Sequence, residues 1–308
     1  DTNGYPLELP YTVNDTAQIL HTHWHQGWAV RDPSGFMPAF PMGRYTCLYE
    51  GEGTLEIFDA YDNGVTIVSN EPGKIVFDLT SIDLLSLRIT QSTAGNHVRN
   101  IRVLLPGYDE HTYEPAQPFN PVFIEKMLPF EVVRFMDMMN TNNSELQTWD
   151  DRMRTTYYSQ APGEVGIAPE YLIQLANLAD ADPWFCMPHQ ADAHYVGELA
   201  RMVKRDLDPH HQVYVEYSNE AWNGLFDVYN WLDANATGGS NHPQRYAHTA
   251  RVAFDKWHEV FGADSDRIIR VICGQTTNPW HARQATQYLG QGGFDAVGAS
   301  TYCGLSDS

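Results

Sequence analysis

A chain of 308 residues with 43% hydrophobic composition is long enough to bury one large α/β core or two smaller ones, and is not a disordered polymer. Its 39 acidic residues against 19 basic give a formal charge of −20 spread along the chain, which argues against nucleic acid and anionic membrane as partners and leaves a neutral polymer such as polysaccharide acceptable. No stretch approaches the roughly 20 consecutive apolar residues that cross a bilayer, so no membrane insertion is expected.

The chain starts at Asp1 without a methionine, which we read as the processed end of a secreted, extracellular protein. Asn14-Asp15-Thr16, Asn142-Asn143-Ser144 and Asn235-Ala236-Thr237 have the N-glycosylation pattern that would accompany secretion. Next, HTHWHQGW (21–28) places His21, His23 and His25 on one side of a predicted strand; with no carboxylate partner in the pattern, packing is expected there and no metal. Between about 40 and 92, short β-prone runs alternate apolar and polar residues (Leu55, Ile57, Val65, Ile67, Ile75, Phe77, Leu79) around Asn63-Gly64 and Pro72-Gly73. Residues 1–97 therefore read as an antiparallel β-rich region, a sandwich or a cap.

From 98 to 308 strands and amphipathic helices alternate. IRVLLPG (101–107), VVRFMDM (132–138), PWFCMPH (183–189), QVYVEYSNE (212–220), IIRVICG (268–274) and FDAVGASTY (294–302) read as six strands. PVFIEKML (121–128), PEYLIQLANLA (169–179), HYVGELARMVKRDL (194–207), RYAHTARVAFDKWHEVFG (245–262) and WHARQATQYLG (280–290) read as helices, with Tyr195, Leu199, Met202, Val203 and Leu207 on one face and Tyr246, Ala250, Phe254, Trp257 and Phe261 on another. Four cysteines show no CxxC pairing; Cys47, Cys186, Cys273 and Cys303 read as buried thiols, with a Cys273–Cys303 bridge as the alternative.

This alternation fits a parallel sheet covered by helices, either doubly wound or a (β/α)8 barrel. Neither GxGxxG nor GxxxxGKS occurs, so a nucleotide turn has no support and no cofactor is expected. Arg134, Asp137, His189, Asn219, Glu220, Gln275 and Tyr302 all fall at or near the C-terminal ends of successive strands, the edge that forms the working face of a barrel. A TIM-barrel-like domain is the expected fold.

The block EYSNE (216–220) resembles the fourth-strand signature of the retaining, cellulase-like glycoside hydrolases, in which Asn-Glu ends the strand. VVRFMDM, WFCMPH and ASTY are similar to the second, third and sixth strands of that superfamily. The resemblance implies Glu220 as acid/base, Asn219 on the substrate 2-hydroxyl, Arg134 and Tyr302 about the nucleophile, and His189 in the site. Trp222, Trp184 and Trp280 would offer flat faces to sugar rings, with Gln275 beside them. Ala221 stands where the superfamily usually has proline. Its seventh-strand nucleophile has no counterpart before Ser308, so we expect a remaining segment or a second chain to complete the barrel, in a homo-oligomer or extracellular assembly.

Glu216 is too far along an extended strand from Glu220, roughly 13 Å, to serve as the second carboxylate, and is assigned a structural role. Asp137 and Asp192 are expected to anchor loops. The functional expectation is a secreted glycoside hydrolase acting on a β-linked polysaccharide with retention; the alternative is a non-catalytic structural or carbohydrate-binding protein on the same barrel.

Overall fold

The structure, a computed structural model, describes residues 1–308 apart from 14–15, 19, 26–30, 33–34, 37–40, 60–63, 81–83, 113–117, 161–162, 164 and 301–308, with the side chains of 11–40 also outside the description. It comprises two units, Asp1–Asn120 with Thr156–Tyr158, and Pro121–Thr155 with Ser159–Ser308.

The first unit contains β1 (Tyr11–Val13), β2 (Thr16–Gln18), β3 (Leu20–His25), β4 (Arg31–Asp32), β5 (Gly35–Phe36), β6 (Gly43–Glu50), β7 (Gly53–Asp59), β8 (Val65–Glu71), β9 (Lys74–Leu79), β10 (Leu84–Ser92) and β11 (Arg99–Leu104). Two antiparallel sheets, ordered β3-β10-β7 and β11-β6-β9-β8, share one core. Alternation builds it: Tyr45 and Cys47, Leu55 and Ile57, Ile75, Phe77 and Leu79, and Leu85, Leu87 and Ile89 are all buried, and the Tyr45 and Phe77 rings stack at 5.2 Å. Burial pushes the Cys47 thiol up to about 12. Pro72-Gly73 closes the β8–β9 hairpin, with Gly73 at φ 82, a conformation glycine adopts without a Cβ clash. Ile67 departs from the pattern at 43% exposure, because β8 is an edge strand whose register shifts between Ile67 and Ser69.

One expectation is corrected here. The run 101–107 is not the first strand of a parallel sheet: β11 pairs antiparallel with β6 in the first unit. The boundary accordingly falls after Asn120 rather than at 97, and the described residues hold five parallel strands where six were expected. The strand carrying His21, His23 and His25 forms and pairs with β10, but those side chains lie outside the described residues.

The second unit holds α1 (Pro121–Met127), β12 (Val132–Arg134), α2 (Pro169–Ala179), β13 (Asp182–Met187), α3 (Ala193–Asp206), β14 (Val213–Tyr217), α4 (Asp227–Asn235), α5 (His242–Phe261), β15 (Ile268–Gln275), α6 (Trp280–Leu289) and β16 (Ala296–Ser300). Local chemistry sets the helix ends. Pro169 opens α2, and Asp180 follows it in the left-handed region at φ 49. Asp192 caps α3 by accepting a hydrogen bond from Tyr195 N at 2.7 Å, the loop-anchoring role expected of it. Asn241 caps α5 in the same way, which starts that helix three residues earlier than its apolar pattern indicates. The apolar faces read for α3 and α5 are buried throughout.

β12 to β16 form a parallel sheet in chain order, curled into a half-barrel. The order shows no reversal among these strands, whereas a doubly wound sheet reverses at its switch point. Helices follow the same succession, α1 against α2, α2 against α3, α3 against α5 and α5 against α6. Phe185 stacks on Trp257 of α5 at 5.9 Å, which identifies the helix-covered face of the sheet. Period two then sends Trp184, Cys186 and Glu216 to the opposite face. On that face Gly298 leaves room for its neighbours, since a Cβ there would lie 2.6 Å from Cys273 Sγ.

Trp257 is fully buried between Phe185 and Phe261, so Trp257→Ala should cost about 3–5 kcal/mol, read as a lowered urea midpoint with unchanged secondary structure at zero denaturant.

Candidate functional site

The C-terminal ends of the parallel strands gather the polar residues. β12 ends at Arg134 and β15 at Gln275; His189 and Asn219 lie two residues past β13 and β14, followed by Glu220. Tyr302, the expected sixth-strand aromatic, and Cys303, the partner of Cys273 in the alternative bridge, lie outside the described residues. Cys186 and Cys273 are buried thiols, and burial raises both well above their ordinary range.

Glu216 is the hub. It is 1% exposed, and Oε2 accepts from Arg134 Nη2 at 2.8 Å, Arg134 Nε at 3.2 Å, Trp184 Nε1 at 3.0 Å and Cys186 Sγ at 3.5 Å. Arg134 Nη2 also donates to Asn219 Oδ1 at 2.8 Å, and Asn219 Nδ2 donates to Asn142 Oδ1 at 2.8 Å. A chain of hydrogen bonds, charge-assisted at Arg134 and Glu216, thus runs from β13 and β14 through Arg134 and Asn219 to the loop beyond β12. Glu216 has the structural role read from its spacing. Trp184 differs from expectation: its indole N–H is committed to Glu216, its ring stacks on Tyr214 at 5.7 Å, and Arg134 lies over it at 5.2 Å. It is a wall of the ion pair and does not line the pocket described below.

Glu220 is buried and sits at φ 43, a left-handed conformation that a residue with a side chain adopts at some cost and that clusters at functional sites. Three contacts hold it there. Asn223 N donates to the Glu220 carbonyl at 2.7 Å, Asn223 Nδ2 donates to Glu220 Oε2 at 2.9 Å, and His242 Nε2 donates to the Ala221 carbonyl at 2.7 Å. His242 Nδ1 faces Asp233 Oδ1 at 2.9 Å, which fixes the ring.

A pocket of about 240 Å³ lies beside this turn, lined by Trp222, Tyr229, His242, Pro243, Gln275, Asn278, Trp280 and His281. Three of the four residues read as substrate-binding, Trp222, Trp280 and Gln275, therefore share one cavity. Trp280 is 52% exposed, a flat face open to solvent. Trp222 Nε1 and both ring nitrogens of His281 are buried without a hydrogen-bond partner. Burial, reinforced by the nearby His242, pulls the His281 imidazole down to about 4, so at neutral pH it is one donor and one acceptor. His189 is buried beneath the strand ends, its ring edge-on to Trp231 and its carbonyl accepting from Tyr217 Oη at 2.7 Å; burial lowers its pKa against the pull of Asp227.

Sequence reasoning missed Asn142, Asn223, Tyr229, His242 and His281. The first two stand in segments read only as glycosylation pattern and strand end. Tyr229, His242 and His281 come from first turns of helices, where Asn241 and Pro243 were the available signals for α5. The Asn142 amide is engaged with Asn219, and Ser144 is fully buried. Among the described residues one cluster has metal-ligating spacing, Asp180, His210 and His211, and it lies where β13 and β14 begin, away from this edge.

The lowered imidazole of His281 has a stability consequence. An unfolded histidine titrates near 6.5, so between pH 6.5 and 4 the unfolded chain binds a proton that the folded chain does not. Its contribution is complete above about 6.5 and declines as pH falls toward 4, by roughly 3 kcal/mol in all. Urea midpoints measured from about pH 7 down to pH 4.5 should fall steeply in the wild type and less steeply in His281→Phe. Comparison of the chain with protein-family models, with curated proteins and with solved structures gives no match.

Proposed function

We propose that this chain carries the acid/base half of a retaining, cellulase-like glycoside hydrolase that acts outside the cell on a β-linked polysaccharide, with Glu220 as the proton donor. The observation that supports this most strongly is the placing of Glu220 at a pinned, left-handed turn past β14, between the Arg134–Asn219 network and the aromatic pocket that begins at Trp222. A glycosidic acid must protonate the departing oxygen and then take a proton back from water, so its carboxyl must stand at the cleft with a defined orientation, which the Asn223 bond gives Glu220. Asn219 is held at both ends of its amide by Arg134 and Asn142, and its second Nδ2 hydrogen is what would meet the hydroxyl next to the reacting carbon.

Pocket chemistry favours a neutral, hydroxyl-rich ligand. Its lining has no carboxylate, lysine or arginine; instead it offers indole and phenol faces, two amides, the His242 ring held against Asp233, and the neutral ring of His281. Sugar rings present C–H patches to aromatic faces and hydroxyls that both donate and accept, which this lining matches.

The half-barrel is read here as part of a (β/α)8 barrel, on the strength of its unreversed strand order and one-sided run of helices. Retention requires a second carboxylate about 5–5.5 Å from Glu220, and Glu216 is unsuited because its Oε2 is already saturated by Arg134, Trp184 and Cys186. That carboxylate would come from a strand added to the free edge of β16 or from a second chain.

A second reading has its own support. The pocket lining contains no acid, which suits binding without turnover, on a carbohydrate-binding protein that shares the architecture.

Two measurements separate these readings. On soluble β-glucans, mannans and xylans, Glu220→Gln should lower the rate of the active substrate by at least about 100-fold, with the first-formed anomer of the wild type retaining its configuration by NMR. Equal rates for the two proteins would remove Glu220 from the mechanism. Trp222→Ala and Trp280→Ala should each weaken oligosaccharide binding about 5- to 10-fold under either reading, measured by calorimetry.

A further inference from the structure

At the opposite edge of the parallel sheet, two short connections bring together residues that the site above does not use. Asp180 follows α2, and His210 and His211 precede β14. Asp180 Oδ1 lies 3.0 Å from His210 Nε2 and 3.9 Å from His211 Nε2, and the three ligand atoms all fall within 4.8 Å of one another. Zinc bonds of about 2.0–2.1 Å in a tetrahedral shell hold neighbouring ligand atoms about 3.3 Å apart, so these separations bracket the required one. The His210 and His211 rings pack closely, 3.9 Å apart at a 40° tilt, which keeps both imidazoles beside Asp180.

A second observation points to a ligand. His211 is only 3% exposed, and its Nε2 is buried with no hydrogen-bond partner, facing the Asp180 and His210 side. Leaving a buried nitrogen unpaired is unfavourable, so this lone pair is available to a group placed on that side. Its other nitrogen explains the orientation: Nδ1 is 3.2 Å from Asp182 Oδ1, whose carboxylate also accepts from Gln212 N at 3.0 Å. A carboxylate on Nδ1 fixes the tautomer with the lone pair on Nε2, the form that binds a metal.

The loop is pre-arranged around that pair. Asn177 Nδ2 donates to the Asp206 carbonyl and Asn177 Oδ1 accepts from Asp208 N, while Arg267 donates to the carbonyls of His211 and Asp208. His210 and Asp180 are exposed, which supplies an entry path and leaves the fourth position to water. Two imidazoles and one carboxylate suit a borderline divalent ion better than calcium or magnesium, which prefer all-oxygen shells.

We propose that Asp180, His210 and His211 form a binding site for a borderline divalent metal, Zn²⁺ foremost, oriented by Asp182, which clasps the start of β13 to the start of β14.

The test uses the whole chain, stripped with EDTA and titrated with ZnCl₂ by calorimetry, with Co²⁺ absorption as a report on geometry. His210→Ala and Asp180→Asn change exposed side chains and are expected to fold as the wild type does. The expected result is one equivalent of zinc bound by the wild type and lost, or weakened at least tenfold, in each variant, together with a zinc-dependent rise in Tm seen only in the wild type. Zinc uptake of the same stoichiometry and affinity in all three proteins, or no uptake by the wild type, overturns the proposal.

Discussion

A carboxylate buried to 1% exposure is the constraint around which the second unit is arranged. Moving such a group out of water is strongly unfavourable unless its oxygens meet donors and a counter-charge. Glu216, on β14, receives both on one oxygen, from the Arg134 guanidinium of β12 and the Trp184 indole and Cys186 thiol of β13. Those donors can converge only if β12, β13 and β14 are in the observed parallel register, with Cys186 opposite Glu216 and Trp184 opposite Arg134. Pairing of the charge and pairing of the strands are therefore one requirement.

From that hub the order of the C-terminal edge follows. Arg134, held by Glu216, has a spare N–H that fixes Asn219, and Asn219 in turn fixes Asn142. The chain then turns through Glu220 at φ 43, stapled by Asn223 and His242, into the aromatic pocket. The sheet's two faces divide the labour: Phe185, Trp257 and their neighbours bury the helix side, while the other face carries the ion pair. At the opposite edge the Asp180–Asp182–His211 cluster ties the beginnings of β13 and β14, so both ends of this strand pair are held by polar contacts.

Much of this was legible in the residues because local patterns carry it. The α2 boundaries coincide with those read from Pro169 and the apolar spacing, and Asn219, Glu220, Gln275 and Arg134 were marked by standing at strand ends. Partner choice was not legible. A short apolar run such as IRVLL is equally consistent with a parallel or antiparallel strand, and β11 took β6, some 50 residues upstream, as its neighbour. Trp184 looked like a sugar platform, but an indole N–H two residues along the same face from Cys186 is taken by the carboxylate that only the register reveals. Helix α4 follows a Phe226 that accepts no capping bond with its side chain, and α4 buries only Val228 and Leu232, so its signal was faint. His242 and His281 reach the pocket through tertiary packing of helix first turns, which no local spacing encodes.

A double-mutant cycle on Arg134 and Glu216 probes the central claim most directly, using urea unfolding of wild type, Arg134→Met, Glu216→Gln and the pair. If the buried carboxylate and its guanidinium are the organising interaction, the double variant should be more stable than the sum of the single losses indicates by at least about 1.5 kcal/mol. Losses that add to within about 0.5 kcal/mol would contradict it.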